Sequence, residues 1–334
     1  MAKSPVVVII LLIVLVFISG CSSVEPNSVE PDRVGRDKIV PFQAEPAEPE
    51  PNEVDPAGFE PNSIEPVKAG PDDLQTVPAT SFHDKCAGIL EEFVDDKGMV
   101  DYKGLRRKRL ELRAVLREFN KLDPREYESW PREDKIAFWI NAYNLQKLRV
   151  VTDNYPIKPS SRILTIFYRG TNSIRHIEGK ITDHKFLIMD EEFTFATIEK
   201  LFFRDEFNDP RIFFTLSNAC LSSPSLRNEP YYGHNLSEHL DEQTKRFLSS
   251  PLALGIDREK RKVYLSALFQ SSWYGREFIK KYAIDRKFKD QSVETRAVLN
   301  FITDYISKEK ITFLETGNYT IKYMTYNWTI NDGS

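Results

Sequence analysis

Cysteine is scarce in this chain: three residues among 334, at Cys21, Cys86 and Cys220. Three thiols so widely separated exclude a disulfide scaffold. Histidine is nearly as rare, with five residues, His83, His176, His184, His234 and His239. His234 and His239 flank a helix start, but no cysteine or acid completes a ligand set, so no metal and no cofactor is expected. Long basic runs are missing, which removes nucleic acid from the expected partners. No Gly-x-Ser-x-Gly turn surrounds any serine. The acids near Asp95 and Asp96 lack the ligand spacing of a calcium loop.

What is present begins with a leader pattern. Lys3 precedes an apolar run from Pro5 to Ile18, short for a membrane span, and Ser19, Gly20 and Cys21 follow. Ile18-Ser-Gly-Cys21 resembles the bacterial lipobox. Residues 1–21 are therefore expected to be a lipoprotein signal peptide, with Cys21 lipidated and the membrane a partner through that lipid. Ser22 after the cysteine resembles sorting to an outer membrane where the host has one, so the expected location is the cell envelope, facing the periplasm or exterior.

Residues 22–80 hold eleven prolines and thirteen acids against four bases, a net charge of −9. Glu25–Pro31 returns almost unchanged as Glu60–Pro66. With little to bury and strong self-repulsion, this segment is expected to be a disordered spacer. Residues 81–334 carry +4 and read as one folded domain.

That domain is organised around Lys135–Asn144. Almost every position from Ile136 to Leu145 is apolar or aromatic, predicting a helix buried all round, with Ser129 as its cap and Pro131 in its first turn. Asn141 and Asn144 share one face of it and need buried partners. Both are expected to reach the loop at 217–224. Helices are further predicted near 81–94, 105–121, 197–203, 235–248, 273–282 and 293–306. Strands are predicted near 177–182, 185–189, 211–217, 263–265, 311–314 and 321–323, and Asn235–Glu238 reads as a capping box. The fold class is α+β, a helical N-terminal part whose buried central helix packs on a mixed, largely antiparallel sheet.

Four blocks carry a family resemblance: Ala137–Asn144 with Asn154–Ile157; Asp209–Leu216 through Ser222–Arg227; Leu240–Leu248; and Tyr326–Asn331. Together they resemble the domain of unknown function 547 family over about residues 81–331. The resemblance implies an α+β domain related to papain-like and transglutaminase-like thiol enzymes. At the positions the family uses for thiol and imidazole, this chain has Phe213, Asn218, Ser223 and Lys200. A thiol hydrolase needs a nucleophile beside a base.

The expectation is a catalytically degenerate envelope protein binding a peptide or envelope polymer. Its candidate binding residues are Asn141, Asn144, Asn218, Ser222, Arg227 and Trp273. The alternative is a hydrolase or acyl transferase with a rearranged nucleophile, for which Ser223, Cys220 and His234 are the candidates. A Cys86–Cys220 bridge stays open at this stage.

Overall fold

The structure, a computed structural model, describes residues 79–159, 172–270, 275–284 and 287–334. The signal peptide with Cys21, residues 22–78 of the spacer and Trp273 lie outside the described residues, while Ala79 and Thr80 fall in a helix. Three short helices come first: α1 Ala79–His83, α2 Ala87–Phe93 and α3 Tyr102–Arg107. Between the last two, Asp95 Oδ1 accepts from the Lys97 and Met99 amides at 2.8 Å each, tying a turn whose Gly98 sits at φ +80°. Then α4, Arg109–Lys121, turns Leu112, Leu116 and Phe119 inward, and α5, Pro124–Ser129, starts on an Asp123 cap.

The central helix is α6, Arg132–Asp153. Every residue from Ile136 to Leu148 is buried, as an all-round apolar helix requires. Pro131 caps it instead of Ser129, whose hydroxyl donates to the Glu126 carbonyl and closes α5 (2.6 Å). Aromatic rings pack along it. Phe138 lies 5.1 to 5.8 Å from the rings of Phe119, Tyr127, Phe82 and Trp130. Trp139 stacks on Phe202 at 3.6 Å and donates to the Tyr127 hydroxyl at 2.9 Å.

Beyond α6 the predicted strand at 177–182 is a helix, α7 Glu178–Thr182, its first turn preceded by a Ser173-capped 3-10 turn. The hairpin β1 Phe186–Ile188 and β2 Glu191–Phe193 follows, turning through Met189 and Asp190 at φ 51° and 61°. Helix α8, Phe195–Ile198, opens on a reciprocal Thr194–Thr197 capping box and runs into a π-helical stretch, Glu199–Glu206. The apolar run at 211–217 is no strand. Asp209 accepts from the Arg211 amide and Pro210 takes the first position of a 3-10 turn over Pro210–Phe214. A short apolar run does not by itself separate strand from buried helix, and here the cap decides.

The C-terminal third holds α9 Leu236–Ser249, β3 Leu254–Asp257, β4 Lys262–Leu265, α10 Gly275–Tyr282, α11 Val293–Ile302, α12 Lys308–Thr316 and β5 Thr320–Tyr323. Asn235 makes no cap bond to α9; its amide nitrogen meets His239 Nε2 at 3.1 Å. The predicted strand at 311–314 lies inside α12, which starts on a Ser307 cap. Strands β3 and β4 are antiparallel, and β4 and β5 parallel. Helices with one antiparallel and one mixed sheet make this an α+β fold.

Two apolar clusters form the core, one around α6 and one around β3–β5 with α10 and α11. Leu268 packs against both. The last segment, Trp328–Gly333, exchanges main-chain hydrogen bonds with Val100, Asn172, Ile174, Ala219 and Leu221. Cys86 and Cys220 are both free thiols, so they form no bridge.

Because Trp139 is 1 % exposed and fills the seam between α6 and the π-helical stretch, Trp139→Ala is expected to cost about 3–5 kcal/mol. Urea denaturation checks this through a lowered midpoint.

Candidate functional site

Helix α6 presents a row of polar groups toward the loop that follows the 3-10 turn. Asn144 clasps that loop twice: its Nδ2 donates to the Thr215 carbonyl at 2.9 Å, and its Oδ1 accepts from the Ser217 amide at 3.0 Å. The expected contact with the 217–224 loop is thus present for Asn144. Asn141 makes the same clasp elsewhere. It donates to the Tyr231 carbonyl and accepts from the Tyr231 amide, both at 2.9 Å, and it also faces His83 Nδ1 at 3.4 Å. A single helix face therefore serves two loops, because residues three apart are displaced along the axis by a turn's fraction.

The loop itself is tightly determined. The Ser223 amide donates to the Cys220 carbonyl, the Asn218 amide donates to Ser223 Oγ at 2.7 Å, and Ser223 Oγ donates to the Pro224 carbonyl at 3.0 Å. Ser222 Oγ accepts from the Asn327 amide at 2.8 Å. Ala219 holds φ +56°, a conformation an L-residue keeps only where its surroundings impose it. Here the Asn331 amide bonds its carbonyl and Ser217 Oγ accepts from its amide.

One turn beyond Asn144 stands Lys147, which the sequence reading passed over. It is 5 % exposed. Its Nζ lies 4.0 Å from the Phe195 ring centroid and 5.1 Å from that of Tyr143, and it donates to Asn218 Oδ1 at 3.5 Å. Burial holds this amine down at about 8, against the partial support of the Glu199 carboxylate. Tyr143 donates to Glu199 Oε1 at 2.8 Å beside it. Burial pushes the Cys220 thiol up to about 11, and its Sγ donates to the Tyr326 hydroxyl at 3.5 Å. At neutral pH this thiol is therefore protonated, the unreactive form.

Four of the five histidines have their described contacts elsewhere. His83 is fully buried, with Nε2 3.7 Å from Asp134 Oδ1. His184 Nε2 meets Gln146 Oε1 at 3.4 Å, and burial lowers its imidazole to about 4. His239 pairs with Asn235, and the His234 ring lies 5.5 Å from that of Tyr232. No described hydrogen bond joins Ser223 or Cys220 to an imidazole. Arg227 is taken up locally, donating to Glu229 and to Glu242 Oε2.

The structure thus brings Asn144, Asn218, Ser222, Ser223 and Cys220 together with Lys147, Glu199 and Tyr326. It leaves Asn141, Arg227 and His234 outside that group. The missed residue had a signal: Lys147 is the only charged side chain between Ile136 and Leu148.

Residues 127–248 match the family model described as Protein of unknown function, DUF547. The match runs from Tyr127 in α5 to Leu248 near the end of α9, and so contains both asparagine clasps and the whole loop. It stops short of the terminal segment that bonds the loop from the other side. No curated protein and no solved structure matches the chain.

Two outcomes follow. Asn144→Ala strands the Thr215 carbonyl and the Ser217 amide in the core, and is expected to lower stability by about 2–4 kcal/mol in chemical denaturation. For Lys147 the unfolded chain holds its proton to 10.5 but the folded chain only to about 8. Between those values the unfolded state binds more protons, so this group makes stability rise with pH. Below about 8 the folded state carries the full cost of a buried charge, about 3 kcal/mol. Lys147→Met should therefore be more stable than the parent at pH 7, and the difference should shrink between pH 8 and 10. Thermal melts of the two proteins across that range check the sign.

Proposed function

We propose that this chain is a lipid-anchored protein of the cell envelope whose folded domain binds a peptide or envelope polymer without cleaving it. Support for the anchor comes from the sequence: the lipobox-like Ile18–Cys21 and the acidic, proline-rich stretch that would hold the domain away from a membrane surface. Support for binding without cleavage comes from the loop. On this reading the thiol chemistry that the family resemblance implies has been lost, with Asn218 and Ser223 standing where cysteines would be.

One observation carries the reading. The two candidate nucleophiles of the loop, Ser223 Oγ and Cys220 Sγ, already spend their hydrogens on the Pro224 carbonyl and the Tyr326 hydroxyl. A serine nucleophile is weak until an adjacent base takes its proton. Ser223 has instead an amide donor and a carbonyl acceptor, the partners of a structural brace.

Fluorophosphonate and iodoacetamide probes are accordingly expected to leave Ser223 and Cys220 of the folded chain unlabelled by mass spectrometry. The folded chain is also expected to co-sediment with isolated cell-wall material. Cys21→Ser should move the protein from the membrane to the soluble fraction. Stoichiometric labelling at Ser223 or Cys220 would overturn the binding reading, and an unchanged membrane fraction would overturn the anchor.

A further inference from the structure

On the solvent side of the same loop lies a recess of about 370 Å³, walled by Leu221, Ser222, Ser223 and Ser225 from the loop, Asp96 and Lys97 from the first turn, and Arg246 to Leu252 around the end of α9. Of its five serines, Ser223 and Ser249 spend their hydroxyls on the Pro224 and Arg246 carbonyls, and the other three accept. Ser222 Oγ accepts from the Asn327 amide, Ser225 Oγ from Gln243 Nε2 at 3.5 Å, and Ser250 Oγ from the Leu252 amide at 3.2 Å. Each of these oxygens is used as an acceptor, leaving its own O–H to be given away. Lys97 and Arg246 add two cations, and among the described residues neither forms an ion pair with a carboxylate.

One acid opposes them. Asp96 shares the recess, and its Oδ1 already accepts from Asn228 Nδ2 at 3.0 Å. Two positive charges and one negative leave a single net positive charge, which matches a monoanion better than a phosphate dianion. Leu221 and Leu252 stand at the wall with 37 % of each exposed, an apolar surface next to the charged one. The volume suits one or two residues of a ligand.

The backbone around the cations is fixed. Asp95 ties the Lys97 and Met99 amides, and the Arg246 guanidinium donates to the Asp96 carbonyl. At Gly98 an added Cβ would stand 2.7 Å from Ser225 Cβ, so the turn lies directly against the loop. A guanidinium so held loses little freedom on binding.

Resting on the binding reading above, we propose that this recess takes the free carboxylate end of a peptide, with Arg246 and Lys97 on the carboxylate, the Ser222, Ser225 and Ser250 hydroxyls around it, and Leu221 and Leu252 against the neighbouring side chain.

Calorimetry on the detergent-solubilised full chain tests this with three probes: an N-acetylated apolar dipeptide with a free carboxylate, its C-terminal amide, and inorganic phosphate. The acid is expected to bind at least about tenfold more tightly than the amide, the usual worth of a charge-assisted hydrogen bond. Lys97→Gln, at an exposed position that leaves the fold alone, and Arg246→Gln should each weaken the acid by about three- to tenfold. The assignment is overturned if acid and amide bind alike, if neither binds, if phosphate binds and the acid does not, or if both variants keep the parent affinity. Retained co-sedimentation with cell-wall material in those cases would remove this recess while leaving the binding reading intact. Labelling of Ser223 or Cys220 removes the reading itself.

Discussion

Burying a carboxamide is tolerable only when both its ends are used, and this constraint shapes the domain. Asn141 and Asn144 sit on a helix with no water on any side, so each must find a peptide group presenting one N–H and one C=O. Tyr231 supplies both for Asn141, and Thr215 with Ser217 supplies them for Asn144. Two distant loops are thereby fixed to one rigid rod, each by a pair of bonds that also sets its direction. Hydrophobic packing brings the segments together without choosing a register, because it is non-directional. The amides make that choice.

With the loop placed, the surrounding chemistry follows from burial. Removing Lys147, Cys220 and Tyr326 from water favours the uncharged form of each, lowering the amine and raising the thiol and the phenol. Burial thus leaves the thiol protonated at neutral pH, while the outer face of the loop carries the serines and cations of the recess. Among the described residues, no helix is long and apolar enough to cross a membrane.

Much of this was legible before any coordinates. The all-round apolar character of 136–145 gives the buried helix, and the two amides announce their own need for partners. Thr215 and Ser217 as partners of Asn144 lie close to the expected loop; Tyr231 as partner of Asn141 did not follow, since an amide's demand says nothing about which loop meets it. The run at 211–217 misled because its capping aspartate and Pro210 outweigh its apolar composition. Strand-like letters at 311–314 misled for a similar reason, with Ser307 capping a helix through them. Lys147 went unread because a lone lysine in a helix is ordinarily a surface residue. The cation's setting between Phe195 and Tyr143 is made by elements some 50 residues apart in the chain.

The terminal segment adds an order of events. Asn327, Thr329 and Asn331 supply main-chain partners to Ser222, Leu221 and Ala219 across more than a hundred residues. Contacts so remote in sequence form late, after the intervening loop entropy has been met by other packing. During vectorial synthesis, the helix and its asparagine clasps can assemble while this stretch is still unmade. The shape of the loop, and with it any surface the loop offers to a ligand, is then acquired at the very end of the process, as a closing stitch.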